Sequence, residues 1–138
     1  MPADSVSASK FHGVVWIDRS EARIFYFSMA EPAAVKATLH PTSFVQYLHQ
    51  IKSEAIDSGN VAEDKPYLSA IAAALAGAAA ILITGPANEK IELFKYLCTH
   101  NPQIANRVAG VETADHPTDS EVVAHARSFF KSANGARP

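Results

Sequence analysis

The chain has 138 residues, 48% of them hydrophobic and 19% charged, and a formal net charge of −2 at pH 7. That length suits one domain with a core of its own, and that composition excludes wholesale disorder, a collagen-like chain and a coiled coil. Since the 12 Lys and Arg residues do not outnumber the 14 Asp and Glu residues, a protein that holds nucleic acid chiefly by neutralising phosphates is disfavoured as well.

Three short strands are predicted at the start of the chain. From His12 to Leu39 the residues are rich in β-branched and aromatic types, and two turn-like clusters divide them. We predict strands over Val14–Asp18, Ala22–Ser28 and Ala34–Leu39. Pro32 borders the third strand, which suits a position at the edge of a sheet.

Helical spacing follows Pro41. An amphipathic helix is predicted to begin at Thr42 or Ser43, either of which can cap it, and a second helix is predicted from about Asp64 to Leu75. The apolar stripe of the first helix consists of Phe44, Tyr47, Leu48, Ile51 and Ala55. The continuous apolar run Ala80–Thr84 is then typical of a central parallel strand that is covered on both sides.

The C-terminal part continues the alternation of helix and strand. A helix is predicted over Glu89–Cys98, with Cys98 buried on its apolar side, and a fifth strand over Val108–Thr113. At the start of the last helix, Thr118 and Glu121 have the spacing of a capping box, in which each side chain satisfies a backbone donor near the other. The predicted core positions of this helix are Val122, Val123, Ala126, Phe129 and Phe130.

These elements predict one three-layer α/β domain. The first three strands are joined as hairpins, and the last two follow helical crossovers, which favour parallel pairing and right-handed connections. We therefore expect a ribonuclease H-like, five-stranded mixed sheet in the order 3-2-1-4-5, with helices on both faces. The domain is predicted over residues 11–132, between a flexible N-terminal tail (1–10) and a flexible C-terminal tail (133–138).

Cysteine usage and hydropathy indicate the compartment. Cys98 is the one cysteine, so the chain has no internal disulfide and no Cys-x-x-Cys pair for zinc or redox chemistry. The N-terminal segment has no basic stretch followed by an apolar block, so no secretory signal is predicted. The longest apolar run, Ala70–Ile83, is shorter than the roughly 18 to 20 residues of a membrane span. We expect a cytoplasmic protein without a membrane partner.

The predicted topology places three loops at one edge of the sheet. The first, fourth and fifth strands would end side by side, which brings together residues 18–21, the turn at Gly85 and residues 112–119. Four carboxylates lie in these loops, namely Asp18, Glu112, Asp115 and Asp119. Together they can hold Mg²⁺ through oxygen ligands, as a two-metal nuclease requires. A simpler interpretation assigns them to a hairpin turn and to the start of the last helix.

A second candidate site is the turn from Gly85 to Lys90. It follows a strand and opens a helix, so its free backbone donors and the Lys90 ammonium can meet a phosphate. The turn is not a P-loop, because the second glycine before the lysine and the hydroxyl residue after it are missing. Since Glu89 would repel the same anion, a plain strand-to-helix turn is the alternative.

Two histidines stand in predicted loops. His40 and His116 each precede a proline, at positions where an imidazole can meet a substrate or RNA. The six histidines show no tight metal-ligand spacing, so no metal site is assigned to them. The chain also has no Gly-x-Ser-x-Gly elbow, which leaves a Ser-His-Asp hydrolase without support.

Three segments together resemble a known family. They are Val14–Ile24 (VVWIDRSEARI), Ile81–Pro86 (ILITGP) with Lys90, and Gly110–Asp119 (GVETADHPTD). They are similar to a family of small bacterial proteins called translational machinery proteins, which are related to the middle domain of eukaryotic and archaeal peptide-chain release factors. The resemblance covers most of the chain, and it implies the ribonuclease H-like sheet of that domain and a connection to the ribosome or tRNA.

The chain departs from the release-factor pattern at the catalytic tip. The release-factor domain carries Gly-Gly-Gln after its third strand, where the glutamine helps a water attack the peptidyl-tRNA ester. The corresponding region here, His40–Asn60, begins with His-Pro-Thr-Ser and places Gln46 and Gln50 on the predicted helix without a glycine-flexible tip. The resemblance therefore does not imply peptidyl-tRNA hydrolysis.

The sequence thus predicts a translation-associated binding module, with a non-enzyme favoured over an enzyme. The module would contact the ribosome or tRNA through the loops at the common sheet edge, without a cofactor. The candidate binding residues are Arg19, His40, Lys65, Gly85, Lys90, Asp115, His116 and Asp119. Among them Arg19, Lys65 and Lys90 would supply local phosphate contacts.

Two alternatives stay open. The first is a hydrolase, either a divergent peptidyl-tRNA hydrolase or an Mg²⁺-dependent nuclease whose catalytic carboxylates are among Asp18, Glu112 and Asp119. The second is a non-catalytic scaffold for protein–protein interaction, with a homodimer formed through the helix at Phe44–Ile56.

Overall fold

The computed structural model describes residues 11–41 and 65–136. Within these ranges the chain forms five strands and four helices. In chain order they are β1 (Phe11–Ile17), β2 (Ala22–Ser28), β3 (Ala34–Leu39), α1 (Lys65–Leu75), β4 (Ala80–Gly85), α2 (Glu89–His100), α3 (Pro102–Ala105), β5 (Val108–Thr113) and α4 (Asp119–Ala136). None of these helices is both long and apolar enough to cross a membrane.

The five strands form one mixed sheet in the order β3-β2-β1-β4-β5. The β1–β2 and β2–β3 pairs are antiparallel, and the β1–β4 and β4–β5 pairs are parallel. The predicted strand order is therefore confirmed. The predicted bounds of β2, β3 and β5 are also those of the structure.

The first strand differs from its prediction at both ends. It begins before Val14, because Phe11–Gly13 pair with the end of β2. It ends before Asp18, whose carboxylate Oδ1 accepts the backbone N–H groups of Ser20 (2.8 Å) and Glu21 (2.9 Å). This local bonding makes Asp18 the first residue of the hairpin turn.

Side chains of the sheet alternate between two faces, and the first face packs against α1, α2 and α3. The strands contribute Val15, Ile17, Ala22, Ile24, Ile81 and Ile83 to this core. The helices contribute Tyr67, Ile71, Ala72, Leu75, Leu93, Leu97 and Ile104. Tyr26 packs against the same core, and its burial raises the pKa of the phenol.

The second face packs against α4 alone among the described helices. Its strand residues are Val14, Trp16, Phe25, Phe27 and Leu82, and its helix residues are Val122, Ala126 and Phe130. Each large apolar side chain that is fully buried contributes about 1.5–3 kcal/mol to the stability of the fold. Burial therefore stabilises the packing of helices on both faces of the sheet. The predicted three layers, with helices on both faces of the sheet, are confirmed.

The last helix opens with the predicted capping box. The Thr118 N–H donates to Glu121 Oε1 (2.8 Å), and the Glu121 N–H donates to Thr118 Oγ1 (3.2 Å). The helix runs from Asp119 to Ala136.

The prediction that Cys98 is buried is wrong. The buried residues of α2 are Lys90, Leu93 and Leu97, and Cys98 is exposed. One residue further along an α-helix corresponds to a rotation of about 100°. That rotation carries Cys98 from the core side of the helix towards solvent.

The short helix α3 is absent from the sequence-based prediction. It has a proline in its first turn, the position where proline suits a helix. Arg107 follows the helix, and its guanidinium donates to the carbonyl oxygens of Ala78 (2.8 Å) and Ala76 (2.7 Å). These bonds tie the start of β5 to the turn between α1 and β4.

Several predictions fall outside the described residues. They are the amphipathic helix from Thr42 or Ser43, the homodimer through Phe44–Ile56, the replacement of the release-factor tip by His40–Asn60 beyond Pro41, and the N-terminal tail. The backbone of Lys65 begins α1, but its side chain lies outside what the structure describes. These points stay predictions.

Candidate functional site

The carboxyl ends of β1, β4 and β5 lie side by side at one edge of the sheet. Trp16 pairs with Thr84, and Thr84 pairs with Glu112. Just beyond the strands, the Ala114 N–H donates to the carbonyl oxygen of Gly85 (3.0 Å). Three loops that are distant in sequence are therefore neighbours in space. We call residues 18–21, 85–89 and 112–119 the rim.

Gly85 permits the closest backbone approach in the rim. A Cβ atom placed on Gly85 would come within 3.0 Å of the Ile17 carbonyl oxygen, a separation that real Cβ atoms essentially never show. The absence of a side chain at Gly85 thus lets the end of β4 lie against the end of β1. This candidate binding residue shapes the rim through its backbone.

Two further elements reach the same edge. The His40 ring Nδ1 lies 3.2 Å from the carbonyl oxygen of Ser20, which brings the end of β3 to the turn between β1 and β2. The Tyr67 hydroxyl donates to the carbonyl oxygen of Asp18 (3.1 Å), which brings the first turn of α1 there. The structure therefore places His40 beside the rim.

His116 lies between two carboxylates of the rim. Its Nδ1 is 3.2 Å from Asp115 Oδ1, and its Nε2 is 4.0 Å from Asp18 Oδ2. The imidazole also packs against the Trp16 indole, with 5.2 Å between ring centroids. The side chains of Asp115 and His116 are nevertheless 93% and 66% exposed, so both are accessible to a partner.

Arg19 and Glu89 join two loops of the rim by an ion pair. Arg19 Nε donates to Glu89 Oε2 at 3.2 Å, and the arginine side chain is 89% exposed. An exposed pair of this kind is worth about 0–1 kcal/mol. The guanidinium can therefore exchange Glu89 for another anion at little cost.

The Lys90 side chain bonds to its own loop. The residue is buried, and its ammonium donates to the carbonyl oxygen of Ala87 in the turn that precedes α2. This bond satisfies a carbonyl of the Gly85 turn and holds the lysine along its own loop. The geometry gives Lys90 a structural role in its own loop, and its phosphate contact stays a prediction.

Asp119 is the most strongly paired carboxylate near the rim. Its Oδ1 accepts from Arg23 (2.7 Å) and its Oδ2 accepts from Lys36 (2.7 Å). The hydrogen bonds from Lys36 and Arg23 hold the pKa of this carboxyl below its usual value. Asp119 thus links the start of α4 to β2 and β3.

Sequence reasoning did not single out Arg23 and Lys36. Register pairing places Arg23 and Phe25 on the same face of β2, and places Lys36 opposite Phe25. A charged residue on the buried face of a strand requires a partner, which is the signal that would have drawn attention to Arg23. The identity of that partner depends on α4, which lies 96 residues further along the chain.

The three carboxylates proposed for a nuclease have separate partners. Asp18 accepts from its own turn, Asp119 accepts from Arg23 and Lys36, and Glu112 Oε1 lies 2.6 Å from His125 Nε2. Across residues 11–41 and 65–136, no three His, Cys, Asp or Glu side chains converge as a metal-binding group. This arrangement of donors does not fit Mg²⁺ and lends the nuclease alternative no support.

A cleft of about 480 Å³ lies next to the Asp119 pairs, between β3 and α4. Its floor and walls are formed by Phe25, Pro32, Ala34, Lys36, Asp119, Ser120, Val123, Ala124 and Arg127. One helix is too narrow to cover a five-stranded sheet, so within residues 11–41 and 65–136 the cleft lies where α4 does not cover the β3 side of the second face.

Comparisons with known proteins bear on this fold. No protein-family model matches the chain, and no curated protein matches its sequence. Pelota from Archaeoglobus fulgidus matches with a TM-score of 0.59 and 12% identity, over 92% of this chain and 33% of that one. Pelota from Thermoplasma acidophilum matches with a TM-score of 0.55 and 23% identity, over 94% and 34%. An archaeal translation termination factor, aRF1, matches with a TM-score of 0.50 and 16% identity, over 92% and 39%.

This chain spans about a third of the length of the two Pelota structures. At such low identity the matches concern architecture, since one fold serves many functions. The protein therefore shares the fold of a region of Pelota and of the archaeal translation termination factor aRF1, which is the type of fold that the resemblance to release factors implies.

Proposed function

We propose that this protein is a translation-associated binding module that contacts the ribosome or tRNA through the rim. The fold shared with Pelota and with the translation termination factor aRF1 supports the connection to translation. The proposed module acts in the cytoplasm, requires no cofactor and performs no Gly-Gly-Gln-dependent peptidyl-tRNA hydrolysis. Its contact surface is the rim together with His40.

The observation that carries the proposal is the exposure of three polar side chains on one rim. Arg19, Asp115 and His116 are 89%, 93% and 66% exposed, and the fold brings Arg19 to the same rim as the adjacent pair Asp115 and His116, which lies far from it in the sequence. A guanidinium suits phosphate oxygens, while imidazole and carboxylate groups can bond to base edges and ribose hydroxyls. The three groups together offer the types of contact that recognition of an RNA surface uses.

The number of cationic side chains in the rim sets the expected salt dependence of tRNA binding. Arg19 is the only Lys or Arg residue within the rim as defined. Each phosphate that a protein neutralises contributes roughly −0.7 to −0.9 to the slope of log K against log salt concentration. We therefore expect a slope near −1 for tRNA binding, far shallower than the slope of a basic nucleic-acid-binding protein.

Co-sedimentation with ribosomes at moderate salt, together with tRNA binding measured in solution, tests the proposal. We expect Arg19→Glu to lower both kinds of binding at least several-fold. Lys131→Glu is a matched control, because it makes the same charge change at an exposed site of α4, about 18 Å along the helix from its start at the rim. The control should bind as the unaltered protein does.

Two results would contradict the proposed function. In the first, the unaltered protein stays wholly in the soluble fraction and binds no tRNA. In the second, Arg19→Glu and Lys131→Glu weaken binding equally, which would show that net charge matters and that the rim does not.

A further inference from the structure

Residues 114–118 link β5 to α4 and accept hydrogen bonds from two side chains of other strands, Trp16 and Arg23. We call these residues the connector. We infer that Trp16 and Arg23 are positioning residues that hold the connector in the one shape that the partner recognises. This inference rests on the proposed function, because the partner in question is the ribosome or tRNA that contacts the rim.

Trp16 supports the first half of the connector. The side chain is almost completely buried, on the second face of β1. Its indole Nε1–H donates to the carbonyl oxygen of Ala114 (3.1 Å), and its ring packs against the His116 imidazole. The indole thus fixes both the backbone at Ala114 and the orientation of an exposed side chain of the rim.

Arg23 supports the second half of the connector. Its side chain is 12% exposed, and one Nη2–H donates to the carbonyl oxygen of Pro117 (3.1 Å) while Nη1 pairs with Asp119 (2.7 Å). The guanidinium also lies over the Trp16 ring, with 4.5 Å between Cζ and the ring centroid. The two supporting side chains therefore form one stacked unit beneath the connector.

Within the connector, the groups that bond to the rest of the protein differ from the groups that face solvent. Asp115 and His116 face solvent, whereas the carbonyl groups on either side of them, at Ala114 and Pro117, are bonded to buried side chains. A loop that is ordered before binding avoids the entropic cost of being ordered by its partner. We expect this pre-ordering to contribute to affinity for the partner.

Arginine suits position 23 better than lysine does. A guanidinium has five N–H donors in a planar fork, so it can stack on Trp16 and bond to Pro117 and Asp119 at the same time. Lysine keeps the charge but loses the fork. Lys36 makes a useful contrast, because it donates to the same carboxylate of Asp119 from β3.

Amide hydrogen exchange and binding, measured on the same variants, test the inference. In Arg23→Met we expect the amides of Ala114 and Thr118, which are hydrogen-bonded in the structure, to exchange at least tenfold faster relative to those of β4. Binding to ribosomes or tRNA should weaken about tenfold as well, the scale of one hydrogen bond to a charged group. Trp16→Phe should show the same pair of effects at the Ala114 end, and Arg23→Lys should fall between Arg23→Met and the unaltered protein.

Two controls separate positioning from general stability. Lys36→Met removes a cation from Asp119 but leaves the connector contacts of Trp16 and Arg23, so binding and connector exchange should stay unchanged. Val123→Ala destabilises the second core without touching the connector, so it should lower the free energy of unfolding and leave affinity unchanged.

The outcomes distinguish the inference from the proposed function. If the unaltered protein binds and Arg23→Met binds equally well, or if Lys36→Met weakens binding as much as Arg23→Met does, the inference is overturned and the proposed function stands. If the unaltered protein binds neither ribosomes nor tRNA, both are overturned. Faster connector exchange with a parallel loss of affinity, confined to the Arg23 and Trp16 variants, supports the inference.

Discussion

Replacing Gly85 by alanine should destabilise the fold through a clash between the new Cβ and the backbone of Ile17. The three atoms nearest to a Cβ at this position all belong to the backbone of Ile17, and the carbonyl oxygen lies closest. A clash with a flexible side chain is relieved by a change of rotamer, but the Ile17 carbonyl is fixed within β1. The end of β4 must therefore move away from β1, and the rim must move with it.

The expected loss in the free energy of unfolding is the sum of two contributions. An added methyl group in filled space typically costs about 1–3 kcal/mol. A shift of Gly85 also weakens the bond that its carbonyl oxygen accepts from the Ala114 N–H, which adds about 1 kcal/mol. The expected loss is therefore about 2–4 kcal/mol, a large fraction of the roughly 5–15 kcal/mol that stabilises a small domain.

Urea denaturation followed by circular dichroism and by Trp16 fluorescence measures this loss. Gly77→Ala is the matched control, because an added Cβ there has no atom within 4 Å. We expect the control to be neutral or stabilising by up to about 1 kcal/mol, since alanine restricts the unfolded chain more than glycine does. Equal midpoints for Gly85→Ala and Gly77→Ala would refute the reasoning about the rim backbone.

Three further predictions concern single side chains. Because Lys36 and Arg23 lower the pKa of Asp119 in the fold, this carboxylate stabilises the native state above its unfolded pKa, near 3.8, and the contribution is lost as pH falls through the lower folded value. In a pH series of denaturation curves, Asp119→Asn should remove that part of the loss of stability at low pH. Near neutral pH it should cost less than about 1 kcal/mol, because the carboxylate is 44% exposed. The same loss of stability at low pH in Asp119→Asn and in the unaltered protein would contradict this. Thr118→Ala breaks the capping box and should cost about 0.5–2 kcal/mol in the same assay, whereas Thr118→Ser should restore most of it. Cys98 should react with a thiol reagent in the native protein at a rate close to that in denaturant, and strong protection would contradict its exposed position.

The strand order was predictable because the two kinds of crossover leave distinct patterns. Hairpin turns separate β1, β2 and β3 within a few residues, while a helix precedes each of β4 and β5, and the chirality of such connections leaves few topologies. The start of β1 was not predictable from local residues. Phe11–Gly13 extend the strand because they pair with the end of β2 on one side and, at His12 and Gly13, with the start of β4 on the other.

The location of the rim was predictable, but the bonding within it was not. Parallel strand ends must meet at one edge, so residues 18–21, Gly85 and residues 112–119 were expected to be neighbours. The pairing of Asp119 with Arg23 and Lys36 depends on how α4 lies across the second face of the sheet. Likewise, residue spacing does not encode the burial of Lys90 or the bond from its ammonium to the Ala87 carbonyl oxygen.

Arg19 and Arg23 carry the same guanidinium group, but they differ in burial and therefore in whether a partner can bind them. The Arg19 guanidinium is exposed and pairs with one carboxylate, so a phosphate can replace Glu89 with little change in free energy. The Arg23 guanidinium is mostly buried among an indole, a carbonyl and two carboxylates, so removing it would break several hydrogen bonds and ion pairs within the fold. An incoming partner can therefore recruit Arg19 but not Arg23. It follows that substitutions at Arg19 should change affinity with little change in stability, whereas substitutions at Arg23 should change both together.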